Sequence, residues 1–376
     1  MLEASTPSAI HQSAIVIDGH ADTPQRFLDD RWNFTDPLAG GMLNLASARQ
    51  GNLAAEFFAL WVDPAEHPLG THAQRALALA HAVLEQLRLH PNDLQLCLSP
   101  EDILAARAAG KFGVLLSIEG GHAIEDSLDR LRAFYILGVR SMTLTWNNSN
   151  SWADSSAEPP RHHGLTSFGR DVVREMNRLG MIVDVSHVSD EVFWQTLETS
   201  TAPIVATHSC ARALTPAPRN LTDDQLRALA AHHGLCMVNF FPGFLCDRWR
   251  QAWNALEPER HALQQQAAAP FRATAQPVPY SVSSKIDREI AARIEPVPFA
   301  ALIAHFEHII HVAGIDHVGL GSDFDGIPGL PTGIASAADL PRITEALEAR
   351  GYTAEDLHKL LGGNLLRVFQ GVHTPS

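Results

Sequence analysis

His20 and Asp22 stand two residues apart in Asp18-Gly19-His20-Ala21-Asp22, just after the apolar run Ala14-Ile15-Val16-Ile17. On an extended chain, side chains two apart point to the same face, so this imidazole and this carboxylate can converge on one ion. Other apolar runs end in the same way. Glu119 closes Leu115-Leu116-Ser117-Ile118 and precedes Gly120-Gly121; His187 follows Val183-Asp184-Val185-Ser186; His208 follows Val205-Ala206-Thr207; and Asp323 follows Gly319-Leu320-Gly321-Ser322. One histidine or acid at a loop start is ordinary, but together these residues form two clusters, His20 with Asp22 and His187 with His208, with Glu119 between them. Three imidazoles and two carboxylates suit Zn2+ or another first-row divalent ion and are too rich in nitrogen for Ca2+ or Mg2+. The chemistry expected of two such ions is hydrolysis, with Asp323 placed as a proton shuttle.

These residues need a scaffold that brings successive strand ends together. Short apolar or β-branched runs alternate with stretches of helical periodicity, which predicts β-α units around a parallel sheet. Eight strands are expected: Ala14–Asp18, Ala54–Val62, Gly113–Ile118, Val139–Thr145, Met181–Ser186, Pro203–Thr207, Leu235–Phe240 and His317–Gly321. Helices are expected over His72–Leu89, Asp171–Leu179, Leu221–His232 and Phe299–Val312, and Ser99-Pro100-Glu101-Asp102 reads as a helix start. Eight such units predict a (β/α)8 TIM barrel, in which strand ends build the active site. The connection over 241–298 is too long for a crossover and reads as an inserted helical segment between strands seven and eight, within one domain spanning 1–376.

Composition narrows the class. With 28 Lys plus Arg against 42 Asp plus Glu, the formal charge of -14 repels phosphate backbones and argues against nucleic acid as a partner. Four cysteines without a CxxC pair fit a reducing, cytoplasmic setting. The N-terminus shows no leader pattern, and no apolar window approaches the roughly 20 residues of a membrane span, so no membrane association is expected.

The sequence resembles the membrane (renal) dipeptidase family, metallopeptidases of the amidohydrolase superfamily. The resemblance runs through DGHADTP at 18–24, SIEGGHAI at 117–124, LTWNNSN at 144–150, VDVSHVSD at 183–190, THSCARAL at 207–214, GSDFDG at 321–326 and GGNLLRVF at 362–369. It implies a barrel with two zinc ions, His20 and Asp22 on one, His187 and His208 on the other, and Glu119 bridging. It implies hydrolysis of small dipeptide substrates by a hydroxide shared between the ions, with Asp323 moving the proton to the leaving amine. It also implies that Arg219 grips the substrate's C-terminal carboxylate, a task suited to a forked guanidinium. A homodimer is compatible with the family.

Two positions depart from the family pattern. Trp146 stands where many relatives carry a histidine that contacts the substrate carbonyl; its indole N–H can donate one hydrogen bond. Asn147 and Asn150 are candidate replacements, or turn caps. Phe241 stands where relatives often have tyrosine, which removes a hydroxyl. Trp146, Asn147 and Phe241 are therefore expected as substrate contacts of altered selectivity. The rival reading is a related metal-dependent hydrolase of a non-dipeptide amide or lactam; a barrel used only for binding is a third, disfavoured because all five ligands are present. His122, Asp18 and Asp325 are expected to support the ligands rather than join them, and Cys210 to be a buried thiol.

Overall fold

The apolar runs become parallel strands because each is covered on both faces, which lets hydrophobic residues run without alternation. The computed structural model describes residues 8–274 and 276–373, so residues 1–7 of the stretch read for a leader lie outside it, as do 275 and 374–376 of the expected domain. The strands are β1 (Val16–Ala21), β2 (Leu53–Trp61), β3 (Leu94–Leu96), β4 (Phe112–Glu119), β5 (Val139–Thr143), β6 (Ile182–Asp184), β7 (Ile204–Ser209), β8 (Leu235–Val238) and β9 (Val318–Leu320). All eight residues of β4 are buried.

Eight strands close into a barrel. β1 pairs with β2 and β9, β2 pairs with β4, and β4 to β9 pair in order. The expected (β/α)8 fold is present. The register Trp61 opposite Glu119 and Glu119 opposite Thr143 brings three strand ends level at the mouth. β3 was not expected. It pairs only with the start of β4, Leu94 opposite Phe112, and three residues are too few to leave a periodic signal.

The two faces of the strands feed two apolar clusters. Phe58, Leu60, Leu116 and Ile118 pack toward helix residues such as Leu79, Val83, Val172 and Phe306. Alternate residues Ala55, Phe57 and Leu115 pack with Val205, Met237 and the last helix, Asn364–His373, whose Phe369 lies 6.3 Å from Phe57 between ring centroids. Each such aromatic contributes about 1.5–3 kcal/mol on burial.

Helix boundaries follow local chemistry. His72–Leu89 forms as expected. Ser99 caps Pro100–Ala108 reciprocally with Asp102, and Thr222 does the same with Gln225, so that helix begins at Asp223, two residues later than expected. Between β8 and β9, the 241–298 segment is mostly helical: Pro242–Leu245, Asp247–Ala255, Glu257–Ala273 and Tyr280–Ala291. Its last two helices are tied to the barrel mouth. Arg272 pairs with Glu66, the Tyr280 hydroxyl donates to the Asp325 carbonyl, and the Tyr280 N–H donates to Asp29 at 3.1 Å. Among the described residues no helix is long and apolar enough to cross a membrane.

Candidate metal centre and active site

Six residues from five separate stretches of the chain meet at the C-terminal mouth of the barrel. His20 lies on β1 and Asp22 one residue past it; Glu119 ends β4; His187 lies three residues beyond β6; His208 is on β7; and Asp323 follows β9. Glu119 sits between the imidazoles. One of its oxygens is 3.3 Å from His20 Nε2, and the other is 3.0 Å from His187 Nε2 and 3.7 Å from His208 Nε2. Asp22 Oδ2 is 3.4 Å from His20 Nε2. His20, Glu119 and His208 offer ligand atoms within 4.8 Å of one another, as do His20, Asp22 and Asp323.

These spacings suit shared ions. Two donors about 2.0–2.2 Å from one tetrahedral ion are about 3.3–3.6 Å apart. His20 Nδ1 and Nε2 and Asp22 Oδ1 are buried with no hydrogen-bond partner in the protein, a costly arrangement unless they serve a ligand. The donor set, imidazole and carboxylate, is that of a first-row divalent metal.

The electrostatics agree. Burial pushes the Asp323 carboxyl up to about 8; Asp22 and Glu119 raise it further while His20 opposes them. Burial and then Glu119 push Asp22 up to about 6. Glu119 is also raised by burial, but His20 and His187 outweigh this and hold it well below the usual carboxylate range. Burial and then the Arg219 charge lower His187 to about 4, which keeps it in the neutral form that a ligand requires. Three acids crowded into one buried place call for positive charge.

The backbone is bent to fit. His187, Asp323 and Asp325 adopt positive φ of 69°, 64° and 64°, a region that non-glycine residues rarely occupy. Gly326 follows directly, and a Cβ there would collide with the carboxylates of Asp22 and Asp323.

The remaining expected residues line a cavity of about 670 Å3 above this centre, roofed by the inserted helices. Arg219 is buried beside it. Its Nη2 donates to the His208 carbonyl at 3.2 Å, and burial lowers it to about 10 against the opposing charges of Asp323 and Glu119. Trp146 packs between Trp61, at 4.9 Å, and His187, at 6.3 Å. Phe241 packs on Phe244 and Trp249. Asn147 also faces the cavity, but its Oδ1 accepts from His187 Nδ1 at 3.0 Å, which holds that imidazole in place. Asn150 is a turn cap: its Oδ1 accepts from the amides of Trp152 and Ala153. His122 bonds the Val62 carbonyl at 2.9 Å, and Cys210 is a buried thiol donating to the Asn239 carbonyl.

Sequence reasoning missed three residues. Asn239 Nδ2 donates to Asp323 Oδ2 at 2.9 Å while its Oδ1 accepts the Phe241 amide. A lone amide between Val238 and Phe240, at the end of a predicted strand, was the available signal. Trp61 ends β2 and was legible in the same way. Tyr280 lies in the insertion, where no pattern marks it.

The sequence profile of the membrane dipeptidase family, peptidase family M19, matches residues 5–376. Dipeptidase 3 of Mus musculus is 34% identical over 379 aligned positions, covering 95% of this chain; the chain spans 64% of that relative's length. The probable dipeptidase PvdM of Pseudomonas aeruginosa shares the fold with a TM-score of 0.82 at 26% identity, covering 98% of this chain and 97% of its own. A Rhodobacter sphaeroides metallopeptidase, solved with a phosphinate mimic of the dipeptide L-Ala-D-Ala, gives 0.77 at 28% identity, covering 96% of this chain and 100% of its own. On a match that runs through nearly the whole chain, this protein belongs to the membrane dipeptidase family, peptidase family M19, hydrolases acting on peptide bonds.

Proposed function

We propose that the chain is a binuclear zinc dipeptidase, a single hydrolase domain whose 241–298 segment roofs the substrate cavity. The observation that carries this reading is Glu119, whose two oxygens face His20 on one side and His187 with His208 on the other. His20 and Asp22 would hold one ion, His187 and His208 the second, and Glu119 both; another first-row divalent ion suits the same donors. When bound, such ions lower the pKa of water to supply a nucleophile and polarise the scissile carbonyl. Asp323, oriented by Asn239, takes the proton from the attacking water and delivers it to the leaving amine. Arg219 binds the C-terminal carboxylate.

The dipeptide as substrate is supported by the Rhodobacter neighbour and its dipeptide mimic. It is also supported by the cavity, in which Arg219, whose forked guanidinium suits a carboxylate, lines the same wall as Glu119 and His187. The four cysteines, free of disulfides, support the reducing cytoplasmic setting. A second reading, hydrolysis of another amide or a lactam, is favoured by Trp146 and Phe241, which give an apolar wall at positions where relatives often carry a histidine and a tyrosine hydroxyl. The test measures metal content alongside hydrolysis of a dipeptide library with L and D residues at the C-terminal position. Two equivalents of metal and metal-dependent cleavage are expected. Activity that survives chelation would overturn the metal reading, and cleavage of a lactam with no dipeptide turned over would favour the second.

A further inference from the structure

Asp184 ends β6 and is fully buried, yet no cation pairs with it among the described residues. Four donors converge on its carboxylate instead. Oδ1 accepts the amides of Ser186 and Thr207 at 2.9 and 3.1 Å, and Oδ2 accepts the hydroxyls of Thr143 and Thr207, both at 2.6 Å. The Thr207 hydroxyl has one proton, and a carboxylate is its strongest nearby acceptor. Its oxygen also lies 2.9 Å from His208 Nδ1. Having given its proton to Asp184, Thr207 can only accept there, so His208 must carry its proton on Nδ1.

We propose that Asp184 is a positioning residue which, through the Thr207 hydroxyl, fixes the tautomer of His208 so that Nε2 presents a lone pair to the metal centre. This rests on reading that centre as a metal site. The neighbouring ligand is set in a parallel way, since His187 Nδ1 donates to Asn147 Oδ1. The two Nε2 atoms then face one another 2.9 Å apart, lone pair to lone pair, beside Glu119. That arrangement is repulsive until a shared cation joins them. The relay places a hydroxyl between acid and imidazole, where metal-binding histidines more often bond a carboxylate directly.

Substitution separates this role from general support. In Asp184→Asn, the amides of Ser186 and Thr207 require the amide oxygen at the Oδ1 position, which turns the NH2 toward the two hydroxyls. Thr207 then accepts from Asn, and its freed proton goes to His208 Nδ1 at 2.9 Å in preference to Ser186 Oγ at 3.4 Å, moving the histidine's proton to Nε2 and blocking the ligand. Thr207→Val removes the relay without reversing it.

The experiment measures zinc affinity by competition with a chromophoric chelator, together with the melting temperature of each metal-free variant. Thr207→Val should weaken zinc binding roughly 10- to 100-fold. Thr207→Ser should restore it, and Asp184→Asn should be worse than Thr207→Val. Adding Thr207→Val to Asp184→Asn should recover affinity, because the misdirected hydroxyl is gone. Wild-type affinity in Thr207→Val, or losses that merely track the metal-free melting temperatures through the series, would overturn the proposal. If Asp184→Asn does not fold, the Thr207→Val and Thr207→Ser pair decides. A wild-type protein that binds no zinc would overturn the metal reading itself, whereas a loaded wild type with unaffected variants overturns only the positioning role.

Discussion

The chemistry of Asp323 is set by its neighbours. Asn239 orients one of its oxygens, and burial beside Asp22 and Glu119 makes it hold a proton more readily than an ordinary aspartate. Asp323→Asn should retain both ions by elemental analysis and lower kcat roughly 10²- to 10⁴-fold; full turnover would remove it from proton transfer. The carboxylate-binding role proposed for Arg219 can be tested separately. A charged hydrogen bond is worth about 2–3 kcal/mol, so Arg219→Gln should lower kcat/KM roughly 100-fold on a free dipeptide, chiefly through KM. On the same dipeptide amidated at its C-terminus, wild type and variant should differ little. An equal loss on both substrates would move Arg219 out of carboxylate recognition.

At the scale of elements, parallel strands bring the candidate ligands together and the helices brace the strands. The helix Ser167–Leu179 carries Glu175, which is mostly buried and bonded to Arg178 on its own helix and to Arg132 on Leu128–Leu137. The bond to Arg178 and then that to Arg132 outweigh its burial and hold its carboxyl at about 2. A carboxyl depressed on folding stabilises the fold above its unfolded value of about 4.5, and that contribution fades as pH falls through about 2. Glu175→Gln should therefore lower the melting temperature at pH 7 and make progressively less difference below pH 4.5. A gap between wild type and variant that stays constant from pH 7 to pH 2.5 would show that the helix pair does not depend on this charge.

For the molecule as a whole, the mouth of the barrel gathers acids and unpartnered polar atoms at a cost in stability that bound cations would offset. Asp22, Glu119 and Asp323 are gathered beside three imidazoles, and several of their polar atoms have no partner in the protein. Removing metal should lower the melting temperature by about 5–10 °C, and adding zinc back should restore it; a melting temperature indifferent to chelation would count against a centre built around ions. Much of this was legible in one dimension. His20, Asp22, Glu119, His187, His208 and Asp323 each follow an apolar run, and strand periodicity with helical spacing between runs is a local property that sequence displays directly. The inserted segment was visible as a connection too long for a crossover. β3 was too short to register, and the second task of Asn147, the bond from Asn239 to Asp323 and the arrival of Tyr280 over the mouth depend on residues from 40 to 84 positions apart finding one another. The sequence alone picked out the six polar residues that meet at the mouth and the closed barrel that gathers them. Only the tertiary structure decided which atom of each faces its neighbour, because hydrogen-bond direction and the choice of imidazole nitrogen depend on partners brought close by the closure of the barrel.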